Sequence, residues 1–255
     1  MKRLELIPVA LLGALASFMI VQMNASPLAS QSPAVTPTVT SDAGAVDSTE
    51  VAPLPRVSVR VPAVSRDVDD IRTRLAMGEA GTYIGEILAS RDSSLARWRD
   101  RSIEPLRVWV DIAPPLDAWR REFAEHAREA FEAWSDVGIP VRFTFVVDPA
   151  QSDVQVTWVD RFDEQISGKT HWARDENWWI TDGSIVLALH HRDGHALDTA
   201  AIRAIALHEV GHLLGLDHTA DETSIMTPKV RVRDLSNADR ATARLIYSLP
   251  AGSVR

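Results

Sequence analysis

The sequence predicts one α+β domain behind an export signal and a tether. Strand-like and helix-like periodicities follow one another in the order β–α–β–β–β–α–α. All eight tryptophans fall between Trp98 and Trp179, whereas residues 26–65 are rich in proline and free of aromatic residues. The chain of 255 residues is 45% hydrophobic and 24% charged, which rules out wholesale disorder. Its net charge of −8 gives no general electrostatic ground for holding nucleic acid. It contains no cysteine, so disulfides, thiolate nucleophiles, Cys-type zinc sites and Fe–S clusters are excluded. Any metal must be held by histidine and carboxylate.

Lys2 and Arg3 precede an apolar run from Leu6 to Val21, and Met23-Asn24-Ala25 follows as a cleavage site. Residues 1–25 therefore read as a signal peptide or an uncleaved N-terminal membrane anchor. In either case the rest is exported: periplasmic, secreted or on the outer face of a membrane. Residues 26–65 carry Pro27, Pro33, Pro37, Pro53, Pro55 and Pro62 with no Phe, Trp or Tyr, the composition of a disordered linker. Residues 66–93 form a short N-terminal extension or propeptide-like segment, with a helix expected from Asp67 to Met77 before Gly78–Gly81. The domain proper spans 94–255.

Within it, Leu106–Ile112 is β-rich and stops at Pro114-Pro115. Asp117 to Val137 carries Phe123, Ala127, Ala130, Phe131 and Trp134 on one stripe, an amphipathic helix closed by Gly138. Val141–Val147 and Val154–Val159 read as strands either side of the turn Asp148-Pro149, and Ser184–His190 as another. Asp198 or Thr199 caps a helix running through Leu214 to a stop at Gly215. Ser236 and Asp239 form a capping box for a last helix ending near Leu249.

The chemistry lies in His208-Glu209-Val210-Gly211-His212-Leu213-Leu214-Gly215-Leu216-Asp217-His218, an HExxHxxGxxH pattern. His208 and His212 stand four apart, so both imidazoles project from one helix face toward a shared metal. Glu209 is placed to take a proton from water. Gly215 lets the chain leave the helix and bring back His218 as third ligand, with a fourth tetrahedral position open. Three neutral imidazoles suit one Zn²⁺.

With these residues the chain resembles the metzincin metallopeptidases, specifically the matrixins. Gly211 to His218 reads GHLLGLDH as in that family, and Ser224-Ile225-Met226-Thr227-Pro228 resembles its Met-turn. Leu235 to Tyr247 resembles its C-terminal helix. Trp98, the Arg107–Asp111 strand and the helix ending Trp134-Ser135 resemble its opening. The resemblance implies a twisted, mostly parallel sheet, a long active-site helix and endopeptidase cleavage of extended protein or peptide segments. It also implies an upper cleft rim at Ser184–His190, with Leu187, Ala188 and Leu189 pairing with substrate. Ala204, Pro228 and Val230 would line the main specificity pocket, and Met226 would floor the zinc site.

Departures from the family pattern are equally specific. Without cysteine there is no thiolate latency switch, which leaves Asp67, Asp70 or Glu79 as candidate zinc caps against a plain extension of the domain. Ala238 replaces the first of two acids usual before the last helix. The His-x-Asp signature of a second, structural zinc is missing around Asp160–Asp163, leaving His171, His190, His191 and His195 as candidate ligands. Asp175 and Glu176 are candidate Ca²⁺ ligands, against a polar loop anchored by Trp178 and Trp179. His126 reads as surface and Tyr247 as core. Two functions follow: an exported, monomeric zinc endopeptidase acting on proteins, or a non-hydrolytic zinc-binding surface protein holding peptides in its cleft. Glu209 favours the first, since a binder has no use for a base there.

Overall fold

The computed structural model describes residues 67–254. The signal or anchor over 1–25 and the linker over 26–65 lie outside the described residues. Strands β1 (Ser94–Leu95), β2 (Arg101–Val110), β3 (Val141–Val146), β4 (Val154–Val159), β5 (Gly168–Arg174), β6 (Ile180–Ala188) and β7 (Gly252–Ser253) alternate with helices. The helices are α1 (Val68–Gly78), α2 (Ile84–Ser90), α3 (Arg121–Ser135), α4 (Thr199–Leu213) and α5 (Asn237–Ser248). Five strands form one sheet in the order β3-β2-β4-β6-β5. β2 runs parallel to β3 and β4, and β4 parallel to β6, while β5 alone is antiparallel. The sheet is thus mostly parallel, as an α+β metzincin domain requires. The short pair β1–β7 ties residues 94–95 to the C-terminal residues 252–253.

Within the five-stranded sheet, the strand absent from the expected order is β5. Its residues, Gly-Lys-Thr-His-Trp-Ala-Arg, are half-buried or exposed throughout, so no apolar alternation marks it. β2 begins earlier than its apolar run, at Arg101, and shifts register against β3 before Leu106. Leu106, Val108 and Val110 then point into the core.

α3 buries Phe123, Ala127, Ala130, Phe131 and Trp134 along one stripe, and each large side chain removed from water contributes about 1.5–3 kcal/mol. α4 is buried on most of its circumference, packed against α3 and against β5 and β6. Carbonyls in its middle and at its C-terminal end accept hydrogen bonds from buried side chains. Trp134 Nε1 donates to Leu207 O, Trp98 Nε1 to Leu213 O (both 2.9 Å) and Tyr247 Oη to Leu214 O at 3.2 Å. The 67–93 segment, which composition separates from the domain, packs onto it. Ile71, Tyr83, Ile84 and Ile87 are buried, Arg74 donates to Ser248 O at 2.7 Å and Tyr83 N to Thr242 Oγ1 at 3.1 Å.

Candidate metal centre and cleft

α4 starts at Asp198, whose carboxylate accepts from Ala201 N at 2.6 Å. It carries His208 and His212 one turn apart. The chain leaves the helix at Gly215, which has φ of 95° and sits so close to the Ala96 carbonyl that a side chain there would collide with it. His218 then returns to the same point. The three Nε2 atoms lie 3.1, 3.2 and 3.3 Å from one another. Four-coordinate zinc with Zn–N near 2.0–2.1 Å separates its ligands by about 3.3 Å. Among the described residues this is the one group of three that could share a metal.

The outer nitrogens agree with that. His208 Nδ1 faces Ile225 O at 2.7 Å and His212 Nδ1 faces Leu216 O at 3.2 Å. A carbonyl partner requires the proton on Nδ1, which turns the Nε2 lone pairs inward. Burial lowers all three histidine pKa values: His208 to about 4, His212 well below the usual range with repulsion from its two neighbours added, and His218 against an opposing pull from Asp217. Neutral imidazoles, the form a metal needs, are favoured.

Glu209 is buried beside them. Burial raises its pKa to about 7, opposed by a hydrogen bond from Thr170. Thr170 Oγ1 lies 2.6 Å from Glu209 Oε2 and 2.9 Å from Glu209 O. Gly168 passes so close that a Cβ there would strike the Glu209 carboxyl. Two β5 residues that sequence reasoning missed, Gly168 and Thr170, therefore position the candidate base. Nothing in a strand without apolar alternation announces them.

Met226 is fully buried, with its sulfur packed against Gly211 of α4. Its N donates to Ser224 Oγ at 2.9 Å and its carbonyl accepts from Thr219 N at 3.1 Å. Asp239, also fully buried, anchors this turn: it accepts from Ile225 N (3.1 Å), Ser236 N (2.7 Å), Tyr83 Oη (3.1 Å) and Ser224 Oγ. The capping box reads true, and the single acid also holds the Met-turn.

Next to His208 and Glu209 opens a cavity of about 450 Å³ whose apolar lining includes Leu197, Ala204, Ile205, Val230 and Val232, with Pro228, Lys229, Arg231 and Arg233 along the segment 228–233. Ala204, Pro228 and Val230, the residues expected to form a specificity pocket, line this cavity. Leu187, Ala188 and Leu189 do not. β6 is an inner strand paired on both sides, these three residues are at most 2% exposed, and Ala188 N and Leu189 N are spent on Ser167 O and Val159 O. The free edge beside the cleft belongs to β5, so the expected rim at Ser184–His190 is corrected to Gly168–Arg174.

The other candidate ligands do not converge. Asp70 pairs with Arg74 at 2.8 Å, and Asp67 accepts from Asp69 N. His190 faces Asp160 (2.9 Å), His195 faces Asp193 (3.0 Å), His191 meets Ser167 (3.1 Å) and His171 is exposed on β5. Asp175 closes its own loop on Asn177 N and Trp179 N and pairs with Arg99.

The mostly parallel sheet, the helix α4 and the three converging histidines fit a metzincin catalytic domain. A family model for Matrixin matches residues 110–248, more than half of the chain, and the chain belongs to that family. It is 33% identical over 141 residues to Metalloendoproteinase 2-MMP of Arabidopsis thaliana, covering 46% of this chain and 35% of that protein. Over 175 residues it is 26% identical to Matrix metalloproteinase-C of Caenorhabditis elegans, covering 62% and 28%. Over 147 residues it is 27% identical to human Neutrophil collagenase, covering 50% and 26%. The chain spans about a third of the length of the relatives it matches.

Proposed function

We propose that this chain is an exported zinc endopeptidase in which His208, His212 and His218 hold the metal and Glu209 is the general base. The observation that carries the reading is the convergence of three inward-facing imidazole nitrogens beside a buried carboxyl. Family membership supports it, as does the relatives' description as metalloproteinases. Bound zinc supplies Lewis-acid polarisation of a carbonyl and acidifies water. Glu209, held by Thr170 and screened from solvent, accepts the proton of the attacking water and returns it to the leaving amine. An extended substrate segment pairs with the free edge of β5, and one of its side chains enters the apolar cavity at Ala204 and Val230. Lys2, Arg3 and the run Leu6–Val21 support export.

The test is hydrolysis of an unfolded protein by the purified full chain, with zinc content measured in parallel. Cleavage that a chelator stops and Zn²⁺ restores, at near one equivalent of metal, is the expected result. A full zinc complement with no cleavage of any protein or peptide would leave the peptide-holding reading in its place.

A further inference from the structure

Residues 83–91 contain no metal-ligating histidine, yet they touch the hydrogen-bond partners of His212 and His218 directly and reach that of His208 through Asp239. Tyr83 Oη donates to Asp239, whose other oxygen accepts from Ile225 N at 3.1 Å, and Ile225 O is the partner of His208 Nδ1. Arg91 sends Nη1 to Gly215 O at 2.9 Å and Nη2 to Leu216 O at 3.1 Å, the same carbonyl that His212 Nδ1 faces. Its Nε lies 3.3 Å from Asp217 Oδ2, to which Ser90 Oγ also donates at 2.9 Å. Asp217 Oδ1 in turn accepts from His218 N at 2.8 Å. Glu86 accepts from Thr219 Oγ1 and Ala220 N, both at 2.9 Å, on the two residues that follow His218.

Given the reading that the three histidines hold zinc, we propose that residues 83–91 are a brace that orients the imidazoles, with Arg91 the principal positioning residue. α2 has seven residues, too few for a helix that stands alone, so its contacts hold it in place. Those contacts are polar and directed at the backbone of the ligand loop rather than at apolar surface alone. The Arg91 side chain is 12% exposed, and a buried guanidinium is a costly way to fill space that an apolar residue fills at less cost. Its planar fork spans two carbonyls and a carboxylate at once, which an ammonium cannot do. Holding Leu216 O fixes the acceptor of His212, and holding Asp217 fixes the backbone of His218. Groups that orient metal ligands in this way are typically worth about 10–100-fold in metal affinity. The brace therefore belongs to the mature domain, and cleavage between it and Ser94 would weaken the metal site.

The experiment compares Arg91→Ala with Ile71→Ala in the full chain. Ile71 is a buried α1 residue with no part in these hydrogen bonds, so its truncation lowers stability by a cavity. Zn²⁺ affinity is measured by chelator competition well below both melting temperatures, and the Co²⁺-substituted proteins are compared by visible absorption. Arg91→Ala should bind Zn²⁺ about 10–100-fold more weakly and shift the Co²⁺ bands, with Arg91→Lys recovering only part of the loss. Ile71→Ala should melt earlier with affinity within about twofold of wild type, as for distant independent sites, and an unchanged spectrum. If Arg91→Ala does not fold, Tyr83→Phe combined with Ser90→Ala deletes two of the hydroxyl contacts and should still weaken Zn²⁺ binding. Unchanged affinity in the brace variants, or equal losses in Ile71→Ala, would overturn the brace. Absence of zinc binding by the wild-type chain would instead overturn the metal-site reading beneath it.

Discussion

His208 and His212 sit one turn apart on α4, whereas His218 reaches the same point from a loop that leaves the helix at Gly215. The 3.6-residue repeat of a buried helix brings the two rings of the helix pair to one face, and carbonyls beyond the helix hold their outer nitrogens. The loop ligand depends on contacts from afar: Gly215 against Ala96, Asp217 against Ser90 and Arg91, Thr219 against Glu86. Exposure follows the same division, with His208 buried and His218 exposed. Local periodicity builds one half of the centre, and tertiary hydrogen bonding builds the other.

The sharpest way to test that division is to remove one ligand from each half. His218→Ala should lose zinc, and with it essentially all peptidase activity, while the metal-free variant melts close to metal-free wild type, because an exposed loop side chain leaves no cavity. His208→Ala should lose zinc as well, but its metal-free form should also be destabilised by about 1–3 kcal/mol, since Ile225 O loses its buried partner. Elemental analysis and calorimetry of chelator-treated protein check both. Equal melting of the two metal-free variants would break the comparison.

Glu209 belongs to the helix half, yet its partner Thr170 comes from the sheet edge. Glu209→Gln keeps the shape and cannot accept a proton, so it should retain zinc while losing about 10²–10⁴-fold in kcat/KM. Loss of zinc in that variant would assign Glu209 a structural part in the centre, and full activity would remove its role as base.

The same division explains what was readable from sequence. The HExxHxxGxxH spacing and the Ser236–Asp239 capping box are local patterns, and the structure brings the three imidazoles together and forms the cap as those spacings require. The sheet was less legible. β6 is apolar because it is buried between β4 and β5, so it was the strand legible before α4, and the rim that the resemblance implies was placed on it. The true edge, β5, is polar because one side of it faces the cleft, and so it carries no strand signature. Tyr83, Glu86 and Arg91 were invisible for a third reason. Their partners lie more than a hundred residues away, and no spacing rule links such positions.

A change of pH probes both halves at once in metal-free protein. Burial holds His208 near pKa 4 and lowers His212 and His218, while an unfolded histidine titrates near 6.5. Between those values the unfolded chain binds more protons than the folded one, so histidine-derived stability is present above about pH 6.5 and lost as pH falls. Glu209 opposes this: raised to about 7, it favours the folded state at low pH and loses that contribution as pH rises. Three histidines outnumber one carboxyl. The melting temperature of chelator-treated protein should therefore rise from pH 5 to pH 7. Glu209→Gln should steepen the rise, and a flat profile would show that the imidazoles are not held neutral.

The smallest effect is expected at Met226, where the two halves meet. It lies on the loop side, fully buried, and a Cβ on Gly211 of α4 would collide with its sulfur and crowd Trp134. The helix is thus free of a side chain at the point where the methionine packs. That is a packing role, since the turn itself is held by Asp239 and Ser224 through main-chain hydrogen bonds that the side chain does not make. Met226→Leu conserves volume and should cost under about 1.5 kcal/mol, with the branched side chain seated less well against Gly211. Zinc affinity should stay within about tenfold of wild type, because the partners of the imidazoles are unchanged. Complete loss of zinc in Met226→Leu, measured by chelator competition at a temperature where the variant is folded, would show that the methionine sulfur supports the centre directly rather than by packing.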